Sequence, residues 1–494
     1  MLSFLSVLTA RLMRVGDVQR QSFLHFGTSV TVMVLGFLST MAITHLTGSP
    51  SVPGGLFLFL SYLGIFSLIS SGGLGGAAIN YMGRKKQCVE YFSAYLALRI
   101  LLLVASLLFL VLLSPYFYDL SVTGLYPWLL CAVAVTSLSD IAGTWVYGTG
   151  RAGFLQISTL VNNLMRILVQ VLAVVAGYGV AGLAGGVVAG LVAGLLYLIP
   201  LCRIKPVRFT ARTAEDLIRF SFWSLLASGG MVLYGNIDTI LLGYFGSTSD
   251  VGLYRISLQL ASFSLFTALA LQTILYPKFA AWQNEGRRDL ISAYLASAFS
   301  YSLLLALPVC VGGSILGGRL LYFLYGSPYQ DAWSALVLLL ATQVAYVFVY
   351  LWSMTLGALG MPRSGAIAAL IAIAVNIPMN LILIPMYGIT GAAAAILITV
   401  IIHACSACLF LKPHIRLTPD FRALRSISVS TGVMAFIVVS FVTLIPPSTV
   451  QVIGAAVGLG GGIYLFTLVR LEHGIDSALK KMVQDMGIVL PEWL

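Results

Sequence analysis

Charge is what this chain has least of. Only 9% of its 494 residues are Asp, Glu, Lys or Arg, against 59% hydrophobic residues. A soluble domain of that size needs far more charged surface, so a water-exposed fold is excluded and a polytopic membrane protein remains. Cysteine is sparse as well: six residues, with no spacing that reads as a disulfide framework. Cys405 and Cys408 form a C-x-x-C, but inside an apolar run and without a second ligand pair. They read as two small residues on one helix face rather than as a metal or redox site. There is no G-x-x-x-x-G-K-[ST], hence no sign of an intrinsic ATPase, and no H-E-x-x-H. The connections between apolar runs are too short to house a catalytic domain. The chain is therefore not expected to be an enzyme, nor to hold a metal or a cofactor.

What it has is apolar length. About fourteen runs are long enough to cross a ~30 Å hydrocarbon layer. Six lie within residues 21–200, six within 220–411 and two within 426–469. Residues 1–20 form an amphipathic N-terminus, 201–219 a basic linker and 470–494 a mixed tail, all three expected in the cytoplasm; no cleavable signal peptide is expected. The net charge of +11 would point to nucleic acid in a soluble protein. Here its distribution gives another answer. With the N-terminus inside, every Lys and Arg falls in a cytoplasmic segment except Arg319 in an outer loop and Arg99, Arg166 and Arg255 within spans. That is a positive-inside signal, not a nucleic-acid footprint. It puts both termini in the cytoplasm.

The two halves echo each other. "GSPSVPGGL" (Gly48–Leu56) resembles "GSTSDVGL" (Gly246–Leu253), "WVYGTGRAG" (Trp145–Gly153) resembles "WSMTLGALGMPRSG" (Trp352–Gly365), and "YGVAG" (Tyr178–Gly182) resembles "YGITG" (Tyr387–Gly391), at offsets of 198, 212 and 209 residues. Three echoes in order imply two parallel six-helix repeats, an N-lobe at 21–200 and a C-lobe at 220–411, with two added C-terminal helices. Such lobes enclose a cleft, and rocking them gives alternating access.

Five charged residues lie inside spans: Arg99, Asp140, Arg166, Asp238 and Arg255. Each must be paired, wet or liganded, because an isolated charge at the bilayer centre costs roughly 2.5–3.5 kcal/mol on insertion scales. Arg99 is expected to pair with Asp140, and Asp238 with Arg255; an ion-coupling role for the two carboxylates stays open beside this. Arg166 has no evident partner, so it either lines a cavity for an anionic ligand or pairs with a group the sequence does not reveal. Asn163 and Gln170 project from the same helix face as Arg166, at i−3 and i+4. Three arginines against two aspartates favour an anionic cargo.

The stretches "NIDTILLGYFGSTSDVGLYRISLQLASF", "TILYPKFA", "LYGSPYQDA" and "NIPMNLILIPMYGITGAAAAI" resemble segments of the Wzx-type polysaccharide and O-antigen flippases of the MOP exporter superfamily, best between Phe220 and Leu411. The resemblance implies a two-lobed all-α fold in the cytoplasmic (inner) membrane. It implies transfer of polyprenyl-pyrophosphate-linked oligosaccharide to the outer leaflet, for surface polysaccharide such as lipopolysaccharide. Arg99, Arg166 and Arg255 are the cations available to the pyrophosphate, with Asn163 and Gln170 beside them. Membrane lipids, a coupling H+ or Na+ and a polysaccharide polymerase are the implied partners, and nucleic acid is not. The alternatives are an antiporter of organic cations from the same superfamily, or an integral-membrane enzyme acting on lipid-linked sugars.

Overall fold

The computed structural model describes residues 18–82, 88–112, 114–116, 124–202, 206–416, 420–445 and 449–471. Residues 1–17 of the expected amphipathic N-terminus (1–20) and the tail from 472 lie outside them. All regular structure among the described residues is helical. In hydrocarbon each backbone polar group must be satisfied within its own segment, which a helix does and an open sheet edge does not.

The first compact unit ends at Gly252. It contains α1 (Val18–Thr47), α2 (Ser51–Ser71), α3 (Leu74–Met82), α4 (Cys88–Leu112), α5 (Tyr126–Gly148), α6 (Ala152–Val175), α7 (Gly179–Leu198), α8 (Ala211–Tyr234) and α9 (Ile237–Phe245). The second unit begins at Leu253. The unit boundary cuts α10 (Thr248–Ser262), which is followed by α11 (Phe266–Asn284), α12 (Arg288–Tyr325), α13 (Trp333–Ala358), α14 (Pro362–Leu411), α15 (Phe421–Leu444) and α16 (Val450–Leu471).

Among the described residues, eleven helices are long and apolar enough to cross a membrane. Two features account for part of the difference from the sequence-based count of about fourteen; the first expected span qualifies only as the shorter apolar helix Thr31–Thr47. Spans expected to be continuous are broken, as at Gly235–Asn236 between α8 and α9. Others are fused: α14 has 50 residues but turns at Gly388, whose φ of 55° and ψ of −130° leave the helical region. A straight helix of that length would run about 75 Å. Instead Asn376 donates to Thr399 Oγ1 at 3.3 Å, so the two arms lie side by side.

Close approach, not side-chain bulk, builds the first unit. On α7, Gly182, Gly186, Gly190 and Gly194 recur every four residues and face α6. A Cβ on Gly190 would lie 2.6 Å from the Asn162 carbonyl oxygen, and one on Gly186 would collide with Gln170. With no hydrophobic driving force between helices in lipid, this contact and the hydrogen bonds it permits hold the pair. Ser158 donates to the Gly194 carbonyl at 2.9 Å and Gln170 to that of Leu183 at 3.0 Å.

The start of α8 is fastened to the start of α4. Thr213 donates to Glu90 at 2.7 Å, Tyr91 to Asp216 at 3.2 Å and the Val207 amide to Ser93 at 2.9 Å. Leu217 is fully buried in a cluster with Leu74, Met82, Phe92 and Tyr95. So α8 shares the core of the first unit.

The echoing segments around Gly54 and Gly252 touch each other. A Cβ on Gly54 would overlap the Thr248 carbonyl, and one on Gly252 would overlap that of Pro50. Both pairs keep the 198-residue offset, Pro50 to Thr248 and Gly54 to Gly252, so the contact is reciprocal.

In the second unit, α15 and α16 pack on α12. Tyr464 donates to the Leu304 carbonyl at 2.6 Å, over a core that includes Leu316, Met434 and Val438.

Candidate functional site

A cavity of about 560 Å³ opens in the first unit, between the end of α2 and α3, α4, α5, α6 and α7. Its lining follows helical periodicity. From α5 come Thr136, Ser139, Asp140, Gly143, Thr144 and Tyr147, spaced as one face of a 3.6-residue helix. From α6 come Leu155, Ser158, Thr159 and Asn162, and from α4 Tyr95 and Arg99, one turn apart. Hydroxyls and an amide stand beside apolar Ile79, Leu155, Leu191 and Leu198, and among the described residues Arg99 and Asp140 are the charged groups that line it.

Those two side chains meet. Arg99 Nη2 donates to Asp140 Oδ2 at 2.5 Å. One turn along the antiparallel α4–α5 pair, Tyr95 and Thr144 share a hydrogen bond at 3.1 Å. The two rungs fix the register. Exposure within the pair is unequal: the Arg99 side chain is 1% exposed and that of Asp140 48%. Arg99 Nε and Nη1 are buried and find no hydrogen-bond partner among the described residues. A guanidinium carries five donors, and a buried one left partly unsatisfied is costly.

The asymmetry makes a prediction. Asp140→Ala leaves a buried, uncompensated cation, at a cost of about 3–5 kcal/mol. Arg99→Ala leaves only a half-exposed carboxylate and should cost clearly less. Thermal unfolding of the two detergent-purified variants checks the order.

The other sequence-selected residues are placed differently. Arg166 lies one turn beyond Asn162 on α6, half-buried, outside the cavity lining. Its Nη2 donates to Asn163 Oδ1 at 2.8 Å, and its buried Nε has no partner among the described residues. Gln170 is turned into the α6–α7 seam and is 3% exposed. Asp238 is 2% exposed and occupies the first turn of α9, just after the break at Gly235–Asn236. The positive end of a helix dipole favours a carboxylate there. Arg255 is half-buried and belongs to the second unit. The structure therefore brings together Arg99 with Asp140 and Arg166 with Asn163. Sequence reasoning missed the hydroxyls of α5 and α6; their signal was the i, i+3, i+4, i+7 spacing around Asp140. Among the described residues no cluster of three His, Cys, Asp or Glu could hold a metal ion.

Residues 49–334, more than half of the chain, match the model of a family described as polysaccharide biosynthesis protein. The chain belongs to that family. Among curated relatives, the "Probable flippase AglR" of Haloferax volcanii is 26% identical over 478 residues, covering 94% of this chain and 98% of the relative. Among solved structures, the lipid II flippase MurJ in an inward closed conformation superposes with a TM-score of 0.76 at 15% identity, covering 90% of this chain and 98% of that one. A multidrug resistance MATE family transporter of the MOP superfamily, inward-facing, gives 0.64 at 14% identity over 77% of this chain and 94% of that one. The family member described here thus has the fold that these two solved transporters share.

Proposed function

We propose that this chain carries a lipid-linked glycan across the membrane, and that Arg99 receives the anionic group joining lipid to sugar. One observation carries the reading: a buried guanidinium with unspent donors in a hydroxyl-lined cavity. Arg99 supplies charge to a phosphate, and Thr136, Ser139, Thr159 and Asn162 supply exchangeable hydrogen bonds to sugar. The family description, the flippase name of the relative and the fold support a transporter rather than an enzyme. An antiporter of organic cations shares the fold, but it would want acidic groups without a competing arginine.

The fuller reading has fourteen crossings, made of two parallel repeats of six plus two, with both termini in the cytoplasm of a cell-membrane protein. The reciprocal Gly54–Gly252 contact, at the same offset as the sequence echo, supports the parallel repeat. The cargo is a polyprenyl-pyrophosphate-linked oligosaccharide moved to the outer leaflet by alternating access. Arg166, Asn163 and Arg255 are secondary contacts for it, and Asp140 and Asp238 are the carboxylates open to a coupling H+ or Na+. Because Arg166 is tied to Asn163 and lies outside the cavity lining, Arg166→Ala should reduce surface glycan less than about tenfold, a loss worth roughly 1.4 kcal/mol. Arg166→Lys should keep part of that difference.

Depleting the protein in its native cell tests the reading. Lipid-linked oligosaccharide should accumulate facing the cytoplasm while the surface glycan falls. Unchanged amounts of both would remove the proposed cargo.

A further inference from the structure

We propose that α12 carries a hinge at Pro308, that Tyr464 of α16 braces it by supplying the backbone hydrogen bond the proline withholds, and that transport uses the hinge. The brace stands within the second unit; only the transport role rests on the reading that the chain moves a lipid-linked glycan.

An α-helix closes each N–H onto the carbonyl four residues before it. Pro308 has no N–H, so the Leu304 carbonyl loses its intrahelical partner, and the proline ring crowds that same carbonyl. Pro308 is buried near the middle of α12, a helix of 38 residues. In water such a carbonyl would be hydrated; in hydrocarbon it needs a donor from a neighbouring helix. Here it has one. The Tyr464 hydroxyl donates to the Leu304 carbonyl oxygen at 2.6 Å, and Tyr464 is 4% exposed. Packing aims this donor. One turn before it, Gly460 lets α16 close on α15: a Cβ there would lie 2.7 Å from Val438 Cγ2. Leu304, Leu307 and Val311, on either side of the proline, pack against the cluster that contains Tyr464.

The stretch that follows is soft as well. "PVCVGG" (Pro308–Gly313) places two helix-weakening glycines about a turn and a half beyond the proline. Ser314 donates back to the Cys310 carbonyl at 2.7 Å, a kind of bond that tends to bend helices. A second outside donor steadies this end: Trp333 Nε1 of α13 reaches the Ser314 carbonyl at 2.9 Å. Between Leu304 and Ser314, then, α12 is weak in its own bonds and held from α16 and α13. Sharp bends in helices fall at prolines and at small-residue pairs of this kind. A side-chain bond to the freed carbonyl can open and close while the rest of the helical ladder stays made, which is what a hinge in a rocking lobe requires. Tyr464 is therefore a positioning residue, acting through the backbone of α12.

A double-mutant cycle on purified full-length protein tests the brace, and surface glycan per folded molecule tests the hinge. Tyr464→Phe keeps the ring and removes the donor, so it should lower the melting temperature. Pro308→Ala returns an N–H to the Leu304 carbonyl, and in that background the loss on Tyr464→Phe should at least halve. Pro308→Gly also returns the N–H and serves the cycle should the alanine variant not fold. The two differ in stiffness. Pro308→Ala should melt no earlier than the unaltered protein yet lower transport about tenfold, while Pro308→Gly, which stays pliable, should keep most of it. An equal drop on Tyr464→Phe in both backgrounds overturns the brace. Normal transport by folded Pro308→Ala, or equal losses in the alanine and glycine variants, overturns the hinge. If the unaltered protein moves no glycan, the cargo reading fails and the transport role with it, while the melting cycle still decides the brace.

Discussion

Arg99→Gln is expected to lower surface glycan by about 100-fold at matched protein level, because removing one partner of a desolvated, hydrogen-bonded charge contact typically costs 2–5 kcal/mol. The side chain is long enough to stay packed against α5, so the loss should come from charge and fork geometry rather than from folding. Arg99→Lys should recover only part of the output. An ammonium is a point charge and cannot offer two parallel donors to a phosphate. Quantifying surface glycan against folded protein checks both. Output from Arg99→Gln within a few-fold of normal would remove the residue from the transport path.

The second large effect is steric. Gly54→Val and Gly252→Val should each sharply reduce the amount of folded protein. At either site the added Cβ falls on a backbone carbonyl of the opposite segment, Thr248 or Pro50, and backbone cannot yield as a flexible side chain can. Overpacking of this sort costs typically 1–3 kcal/mol, occasionally more. The contact is reciprocal, so the two substitutions should be about equally damaging. Gly36→Ala and Gly454→Ala, where nothing lies within 4 Å of an added Cβ, should be nearly silent. Yield and melting temperature after detergent extraction measure the series. A mild Gly54→Val beside a severe Gly252→Val would contradict the reciprocity.

The membrane class was legible because the bilayer leaves the chain little choice: long apolar runs must be helices. The breaks were not legible. The apolar run from Phe220 to Phe245 carries Asn236 and Asp238 beside Gly235, but polar residues in a membrane helix do not by themselves mark a break. The close passage of α8 past Gly73, where a Cβ would lie 2.8 Å from the Ser221 carbonyl oxygen, depends on tertiary packing. In the candidate site the charges could be read and the hydroxyls could not. A charge in hydrocarbon requires a partner, which points from Arg99 to Asp140. A serine or threonine in a membrane helix can satisfy itself on its own backbone, as Thr355 does with Leu351 at 2.7 Å, so that only its spacing relative to Asp140 hints at what it faces. Gln170 shows the limit of periodicity. Its four-residue step from Arg166 gives the helix face correctly, but that face meets α7, and the glycines of α7 bring it within reach of the Leu183 carbonyl.

The central claim is that the cavity beside Arg99 passes a lipid-linked glycan from one leaflet to the other. Purified protein in sealed vesicles, with radiolabelled lipid-linked oligosaccharide in both leaflets and a glycan-cleaving enzyme outside, measures this directly. The account predicts that vesicles with the unaltered protein lose nearly all label to the enzyme, while protein-free vesicles and those with Arg99→Gln retain the inner-leaflet half. Equal retention with and without the unaltered protein, or full loss with Arg99→Gln, would contradict it.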